Sequence, residues 1–370
     1  MDARARQTAG NLALLICAIL GTLALLEAAV RLHLRFAPPS ATLAAVDTDL
    51  GRRQRWRHYY RFQRERAGED VAAFEASQHD PLLGWVPRPD LVDYVHPLLS
   101  SNRRPVGTNS TGMRGRREFS PDKPVAVRRI VIIGDSFTFG IGEDDDHIWP
   151  ARLAADLDGW EVLNLGVFGY GTDQQLVMLR ERGMRWQPDV VIQAVYVDDH
   201  FRNGMAFRDY AKPRFVLDGD ALRLTGVPVP TPDDILAEAD GSSAFGSRTL
   251  DLIRERLRGG DAPRPRDADL EPLTRAILRE TVRTAGAGGA RFLLVVIPIH
   301  HAEERSRRVE DLLATWAAEL EVPLVNVREP LAKQERDTGT PMWAVHFTRA
   351  GHEATARVVR RKLADLGWAP

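Results

Sequence analysis

Five short runs of β-branched and aliphatic residues recur from residue 129 onward, at 129–133, 161–165, 189–197, 292–297 and 322–327. Each is apolar nearly throughout rather than alternating, and helix-length segments separate them. A strand of that kind needs cover on both faces, so the pattern predicts βαβ units and an α/β domain built on a parallel sheet. Residues 204–266 interrupt the order between the third and fourth runs. This insertion holds a predicted hairpin, with strands near 215–217 and 222–224 and a turn at Asp218 to Asp220. Ligand sites in open α/β sheets lie at the carboxyl ends of strands, so the insertion is placed either to form a wall or lid there or to decorate the surface.

The N-terminal part is of another kind. Residues 10–30 read GNLALLICAILGTLALLEAAV, with Glu27 the one charge. About twenty apolar residues cross the hydrocarbon of a bilayer as a helix, so residues 10–31 are expected to form a transmembrane anchor whose partner is the lipid bilayer, preceded by a tail at 1–9. A cleavable signal peptide is the rival, since Arg4 and Arg6 precede the run; the run's length and the lack of a small-x-small site favour the anchor. Cys17 is the only cysteine, which excludes an intramolecular disulfide and a CxxC metal site and leaves it a small apolar side chain in this helix. Arg4 and Arg6 draw the N-terminus to the cytoplasm, whereas Arg31, Arg35 and the run GRRQRWRHYYRFQRER at 51–66 load the other flank. The count leaves orientation open; a single-pass membrane protein with its folded domain outside the cytoplasm is the placement expected.

That basic run, with Trp56, Tyr59, Tyr60 and Phe62 interleaved, reads as a solvated helix near the membrane that can hold anionic headgroups, with RNA stacking the weaker alternative. Lys+Arg 50 against Asp+Glu 51 leaves a net charge of −1, so no nucleic-acid partner is expected. A composition 44% hydrophobic and 27% charged excludes collagen-like, disordered and multi-span membrane chains. Residues 32–127 are read as a juxtamembrane basic segment and an extended lead-in, with a linker at 37–40, and residues 128–370 as the folded domain.

Gly134-Asp135-Ser136-Phe137-Thr138-Phe139-Gly140 follows the first run directly, which sets a serine at the carboxyl edge of the sheet where a helix begins. The free N–H groups and partial positive charge of a helix N-terminus suit a nucleophile whose reaction develops an oxyanion, although a serine there also serves as a plain helix cap. Thr138 stands where the second glycine of a GxSxG elbow belongs, so that signature is not met. Three further segments fall at the same edge: Asn164-Leu165-Gly166-Val167-Phe168-Gly169-Tyr170-Gly171, Tyr196-Val197-Asp198-Asp199, and His346-Phe347-Thr348-Arg349-Ala350-Gly351-His352. Glycines let a backbone N–H approach a substrate oxygen, and the first histidine lies on a loop before a helix.

Together these blocks resemble the SGNH (GDSL-type) hydrolases over residues 109–366, and Asn109-Ser110-Thr111-Gly112-Met113-Arg114-Gly115 looks like the approach segment of membrane-anchored members. The resemblance implies a three-layer α/β/α sandwich on a five-stranded, mainly parallel, flavodoxin-like sheet, and hydrolysis or transfer of ester-linked acyl groups. It implies Ser136 as nucleophile, His346 as general base, and the main-chain amides of Ser136 and Gly169 as oxyanion donors, with Asp198 at the third oxyanion position. Asp199 and Asn203 are read as substrate-binding. An acylated small molecule or glycan is the expected substrate, with no cofactor and no metal. O-acyl transfer to an envelope polysaccharide and a non-catalytic binding or assembly role on the same fold are the alternatives.

Two departures from the family pattern bear on chemistry. Asp198 stands where the family has an asparagine whose amide donates to the oxyanion, and a carboxylate donates only when protonated. Loss of one such donor costs about 2.7–4 kcal/mol of transition-state stabilisation. The second is the acid expected three residues before the histidine, where Trp343 stands. An imidazole needs only an acceptor to fix its tautomer, so the main-chain carbonyl of Trp343 is the expected substitute and Asp337 a further candidate. His352 is the less favoured base. His300-His301 are adjacent on a strand end and point to opposite faces, so they chelate poorly, and Asp144-Asp145-Asp146-His147 reads as a solvated helix start ahead of Trp149-Pro150.

Overall fold

The computed structural model describes residues 3–36, 49, 51–53, 56, 57, 60, 76–95, 104–240, 247, 249, 250, 267–300 and 303–370. They fall into two compact units, one of Met1–Val71 with Thr231–Pro263 and one of Ala72–Pro230 with Arg264–Pro370. The insertion expected at 204–266 is therefore divided at Thr231.

In the first unit a helix runs over Ala3–Phe36. Its stretch Gly10–Leu32 is 23 residues long with mean hydropathy 2.4, and none of it is buried. At 1.5 Å per residue that is about 35 Å, long enough to cross hydrocarbon, a length that a membrane span and a signal sequence share. Its one acidic side chain is satisfied: Glu27 accepts from Arg31 Nε at 2.7 Å, Ser247 Oγ at 2.8 Å and the Thr249 N–H at 2.9 Å. Of the basic run only residues 51–53, 56, 57 and 60 are described, with Trp56 stacked on Tyr60 at 4.7 Å between ring centroids. The linker at 37–40 lies outside the described residues.

The second unit opens with a hairpin, β1 (Ser77–Asp80) against β2 (Gly84–Pro87), that the lead-in's weak periodicity did not announce. Then come β3 (Arg128–Gly134), β4 (Trp160–Asn164) and β5 (Val190–Tyr196), a second hairpin of β6 (Arg214–Asp218) and β7 (Ala221–Thr225), and finally β8 (Arg291–Ile297) and β9 (Leu324–Asn326). The five expected runs each supply one strand of a single parallel sheet ordered β4-β3-β5-β8-β9, and β6 pairs with β7 as the turn residues predicted.

Alternation along the strands sorts the core into two layers. Ile130, Ile132, Ile192, Ala194, Leu293 and Val295 pack with Trp149 and Leu153 of the helix Trp149–Ala155 and with Val359 and Leu363 of the helix Arg349–Asp365. Val131, Ile133, Val191, Val195, Leu294 and Val296 are as fully buried. Helices Thr172–Glu181, Asp267–Ala287 and Glu303–Glu319 meet the sheet there. Each such aliphatic side chain contributes about 1.5–3 kcal/mol, which is why an unbroken apolar run is stable only between two helix layers. From β3 the chain first adds β4 on one side and then crosses to β5 on the other. The carboxyl ends of β3 and β5 thus flank the crevice where ligands bind in such sheets.

From Ala72 onward the lead-in falls in this unit, and its side chains bond to the loops that follow β3 and β4. Arg114 is buried and donates to Asp145 at 2.7 Å, to the carbonyls of Phe139 and Gly140 at 3.3 Å each, and to that of Glu143 at 2.7 Å. Trp85 of β2 donates its indole N–H to the Phe168 carbonyl at 2.9 Å, and Tyr170 donates its hydroxyl to the Trp85 carbonyl at 2.5 Å.

Candidate active site

Ser136 opens a single helical turn, Ser136–Phe139, directly after β3. Gly134 is required there: a Cβ would collide with Thr138 Oγ1 and come 2.9 Å from the Ala194 carbonyl on the neighbouring strand. Asp135 organises the turn. Its carboxylate accepts the Phe137 N–H at 2.9 Å and its carbonyl accepts those of Thr138 and Phe139 at 3.1 and 2.9 Å. Gly140 closes the turn at φ 85°, where a left-handed cap favours glycine. The helix expected after Ser136 is thus four residues long, too short for its dipole to matter much, and the useful electrostatics are local. Neither the Ser136 N–H nor the Gly169 N–H has a hydrogen-bond acceptor among the described residues.

His346 arrives from the far end of the chain, on the loop before helix Arg349–Asp365. Its Nε2 lies 2.9 Å from Ser136 Oγ, and its ring packs against Phe137 at 4.9 Å. Ser136 Oγ also lies 3.3 Å from Asp135 Oδ2. Burial lowers the His346 pKa, Asp135 opposes the shift, and Arg202 and Arg208 add to it. A lowered imidazole pKa keeps the base neutral and able to accept a proton at pH 7. The acid limb of kcat/KM is therefore expected below the ordinary imidazole value of about 6.5, activity falling only as pH drops through that lower value. A pH profile on any ester turned over by Ser136 checks this; a limb above 7 would contradict it.

No hydrogen bond joins the Trp343 carbonyl to His346 Nδ1 in this structure. Trp343 and Phe347 face each other across a tight turn closed by Ala344 N–H to the His346 carbonyl at 2.7 Å and Thr348 N–H to the Met342 carbonyl at 3.1 Å. In such a pair the Trp343 carbonyl points away from the Phe347 segment. Among the described residues none accepts a hydrogen bond from His346 Nδ1. Trp343 instead contributes its ring, 4.7 Å from Phe347 and stacked at 5.7 Å with exposed His300. Asp337 is exposed and paired with Lys333.

The carboxylates after β5 surround a cation that the sequence reading passed over. Arg202, almost fully buried, donates to Asp135 at 3.2 Å, to Asp198 at 3.2 Å, to Asp199 at 2.6 Å and to the Tyr170 carbonyl at 2.8 Å. Asp198 is thereby held as the acceptor in an ion pair. Asp199 is not a substrate ligand: it is wholly buried and also accepts from Gln175 at 2.8 Å and from the Tyr196 N–H at 3.1 Å. Burial pushes its carboxyl well up, the Asp135 charge adds, and Arg202 opposes. Asn203 is likewise structural. It is buried, caps helix Thr172–Glu181 by accepting the Asp173 N–H at 3.1 Å, and donates to Thr274 at 2.8 Å. Spacing could have found Arg202, since Asp198 and Asp199 precede it by four and three residues on one helix face.

Gly169 sits at φ 82° in the loop after β4, and a Cβ on it would overlap Asp209 and come 2.7 Å from Arg208 Nη1. That loop runs beside the nucleophile turn, with Val167 N–H on the Gly134 carbonyl at 3.1 Å and Asn164 Nδ2 on the Thr138 carbonyl at 2.8 Å. His352 is not the base. Burial pushes its pKa down to about 3, and Nδ1 accepts the Trp149 N–H at 3.2 Å, at the start of helix Trp149–Ala155. Glu143, Asp144 and His147 cluster within 4.8 Å, and Arg349 pairs with both carboxylates at 2.9 and 2.8 Å, so their charge is already met by a guanidinium.

Comparison with known proteins gives the same placement. No curated protein matches the chain. Among solved structures, TesA shares 16% identity at a TM-score of 0.40, with 65% of this chain and 99% of that one covered. A GDSL-like lipase from Bacteroides thetaiotaomicron shares 15% at 0.38, covering 65% and 89%. A catalytic mutant of Axe2, an acetylxylan esterase from Geobacillus stearothermophilus, shares 14% at 0.40, covering 65% and 96%. The GDSL-like lipase/acylhydrolase family matches residues 132–354, a span that takes in Ser136, Gly169, Asp198 and His346. With more than half of its length matched, and with the serine of the first block brought to the histidine of the last, the chain belongs to the GDSL-like lipase/acylhydrolase family.

Proposed function

We propose that this protein is a membrane-tethered serine esterase that removes a small ester-linked acyl group, from a glycan hydroxyl in the first instance. The observation that carries the reading is the 2.9 Å contact between Ser136 Oγ and His346 Nε2, and the main-chain N–H groups of Ser136 and Gly169, neither with an acceptor among the described residues, are the donors assigned to the oxyanion. Ser136 Oγ bonds to the acyl carbon while His346 Nε2 takes its proton, and the carbonyl electron pair moves onto oxygen as an oxyanion. In this reading the two N–H groups donate to that charge. Collapse restores the carbonyl and expels the alkoxide, which takes the proton from His346; water then repeats the sequence in reverse order. A sugar hydroxyl in place of water would make the same residues a transferase. The half-buried Trp343 ring, three residues before the base, and the exposed His300 ring stacked on it supply aromatic surface that suits the C–H face of a sugar ring. The apolar helix Gly10–Leu32 supports the tether.

A fluorophosphonate probe on the full-length chain in detergent tests the nucleophile, and acetate release from acetylated xylo-oligosaccharide tests the substrate class. Labelling that disappears in Ser136→Ala is expected, together with Ser136-dependent release. Equal labelling of both proteins would remove the enzyme reading and leave a binding role for the fold. A second expectation concerns Asp198→Asn, which restores the amide donor and removes a negative charge near the oxyanion. Ester turnover should rise by about tenfold or more; a large fall would assign the carboxylate a role of its own.

A further inference from the structure

We propose that Arg208 is the third oxyanion donor of this site, its guanidinium standing in for the amide that Asp198 replaces. The inference rests on the esterase reading above and deepens it. Asp198 cannot donate, because its carboxylate accepts from Arg202 Nε at 3.2 Å. Arg202 cannot turn to the substrate either, being buried and committed to three carboxylates and a carbonyl. Arg208 is differently placed. It lies at the tip of a tight turn closed by the Phe207 and Ala211 bridge, with its own N–H on the Tyr210 carbonyl at 3.0 Å and the Lys212 N–H on the Ala206 carbonyl at 3.0 Å.

That turn is fastened to the core. The Lys212 ammonium is buried in an ion pair with Asp173 and donates to the carbonyls of Arg202 at 3.2 Å and Met205 at 3.3 Å. The tip therefore has a fixed address, and the address is Gly169: Arg208 Nη1 comes within 2.7 Å of where a Cβ would stand. The glycine leaves room for the Arg208–Asp209 ion pair to lie against this loop, with the Asp209 carboxylate the nearer of the two groups. The side chain is 30% exposed and pairs with Asp209, so it is shielded enough to hold a position and open enough to meet a ligand. Its charge also reaches the base, since the charged groups acting on His346 are Asp135 on the nucleophile turn, Arg202 on the helix after β5, and Arg208. In the reaction Arg208 gains and loses no proton; it donates a hydrogen bond to the oxyanion while that charge lasts.

The test uses the full-length chain in detergent with p-nitrophenyl acetate. Arg208→Met is expected to lower kcat by about 100-fold or more with KM changed by less than about threefold, the mark of an interaction made in the transition state. Arg208→Lys, which keeps the cation, should recover about tenfold of that loss. Removing the cation also raises the His346 pKa, so the acid limb of kcat/KM should move to higher pH in Arg208→Met and stay in place in Arg208→Lys. A purely structural role would not separate the two variants in this way. If Arg208→Met does not fold, Arg208→Gln is neutral and decides by the same readings. A neutral variant with kcat within about threefold of wild type and an unmoved limb overturns the proposal. Ser136→Ala is run alongside: if it retains turnover, the esterase reading has failed and the role assigned to Arg208 falls with it, whereas a dead Ser136→Ala with an unaffected neutral Arg208 variant overturns the Arg208 proposal alone.

Discussion

Ser136→Ala is expected to lower ester turnover by about 10⁴-fold or more, and His346→Ala by about 10²–10⁴-fold. The inequality is the informative part. In a complete triad, nucleophile and base act as a unit and losing either costs about the same. Here the imidazole reaches Ser136 Oγ at 2.9 Å, while its Nδ1 has no acceptor among the described residues. Without a partner behind it the ring is free to hold the unproductive tautomer part of the time, so the native enzyme already runs without the full benefit of its base. Removing the imidazole then subtracts less than removing the hydroxyl. Steady-state turnover of p-nitrophenyl acetate by the three proteins gives the comparison. Equal losses would mean that the tautomer is fixed by a contact made only when substrate is bound.

Arg202→Met is expected to be the most destabilising single change near the site, by about 3–5 kcal/mol, because it strands carboxylates that the guanidinium now neutralises. Asp135 and Asp199 are both fully buried. The sign of the pH dependence follows. Burial and the Asp135 charge already raise the Asp199 carboxyl, against the pull of Arg202. A carboxyl whose folded value lies above its unfolded value of about 3.9 favours the folded state below that value, and the benefit is lost as pH rises through the folded value. With the cation gone the folded value rises further. Arg202→Met should thus be more stable at pH 5 than at pH 8, by a margin wider than wild type shows. Urea melts at the two values measure it, and a variant as stable as wild type at pH 8 would contradict it.

Much of this was legible in the chain. The five apolar runs gave the strands within about two residues, because a strand buried on both faces has no other way to be written. Ser136 and His346 were legible through the resemblance of their blocks to the family, and the structure sets Oγ and Nε2 2.9 Å apart. The misses share a cause. Asp199 and Asn203 looked like free polar groups at the sheet edge, yet both are spent on partners distant in sequence, Gln175 and Thr274 among them. Trp343 was expected to lend a carbonyl, and only the turn geometry reveals which way that carbonyl points. Arg208 sits in an insertion whose sequence gives no sign that its tip returns to Gly169. Local spacing records which elements form; what a polar side chain touches across the fold is recorded elsewhere in the chain.

The two clasps made by the segment ahead of the sheet have a practical meaning. Arg114 grips the carbonyl end of the serine's turn, and Trp85 grips the loop that carries Gly169. A protein trimmed to begin at residue 128 would retain every residue named in the reaction and the bonds of Val167 to Gly134 and Asn164 to Thr138, yet lose both clasps on the loops that carry Ser136 and Gly169. The working boundary of this enzyme falls some fifty residues before its first sheet strand, and whatever pulls on that leading segment pulls on the catalytic loops themselves.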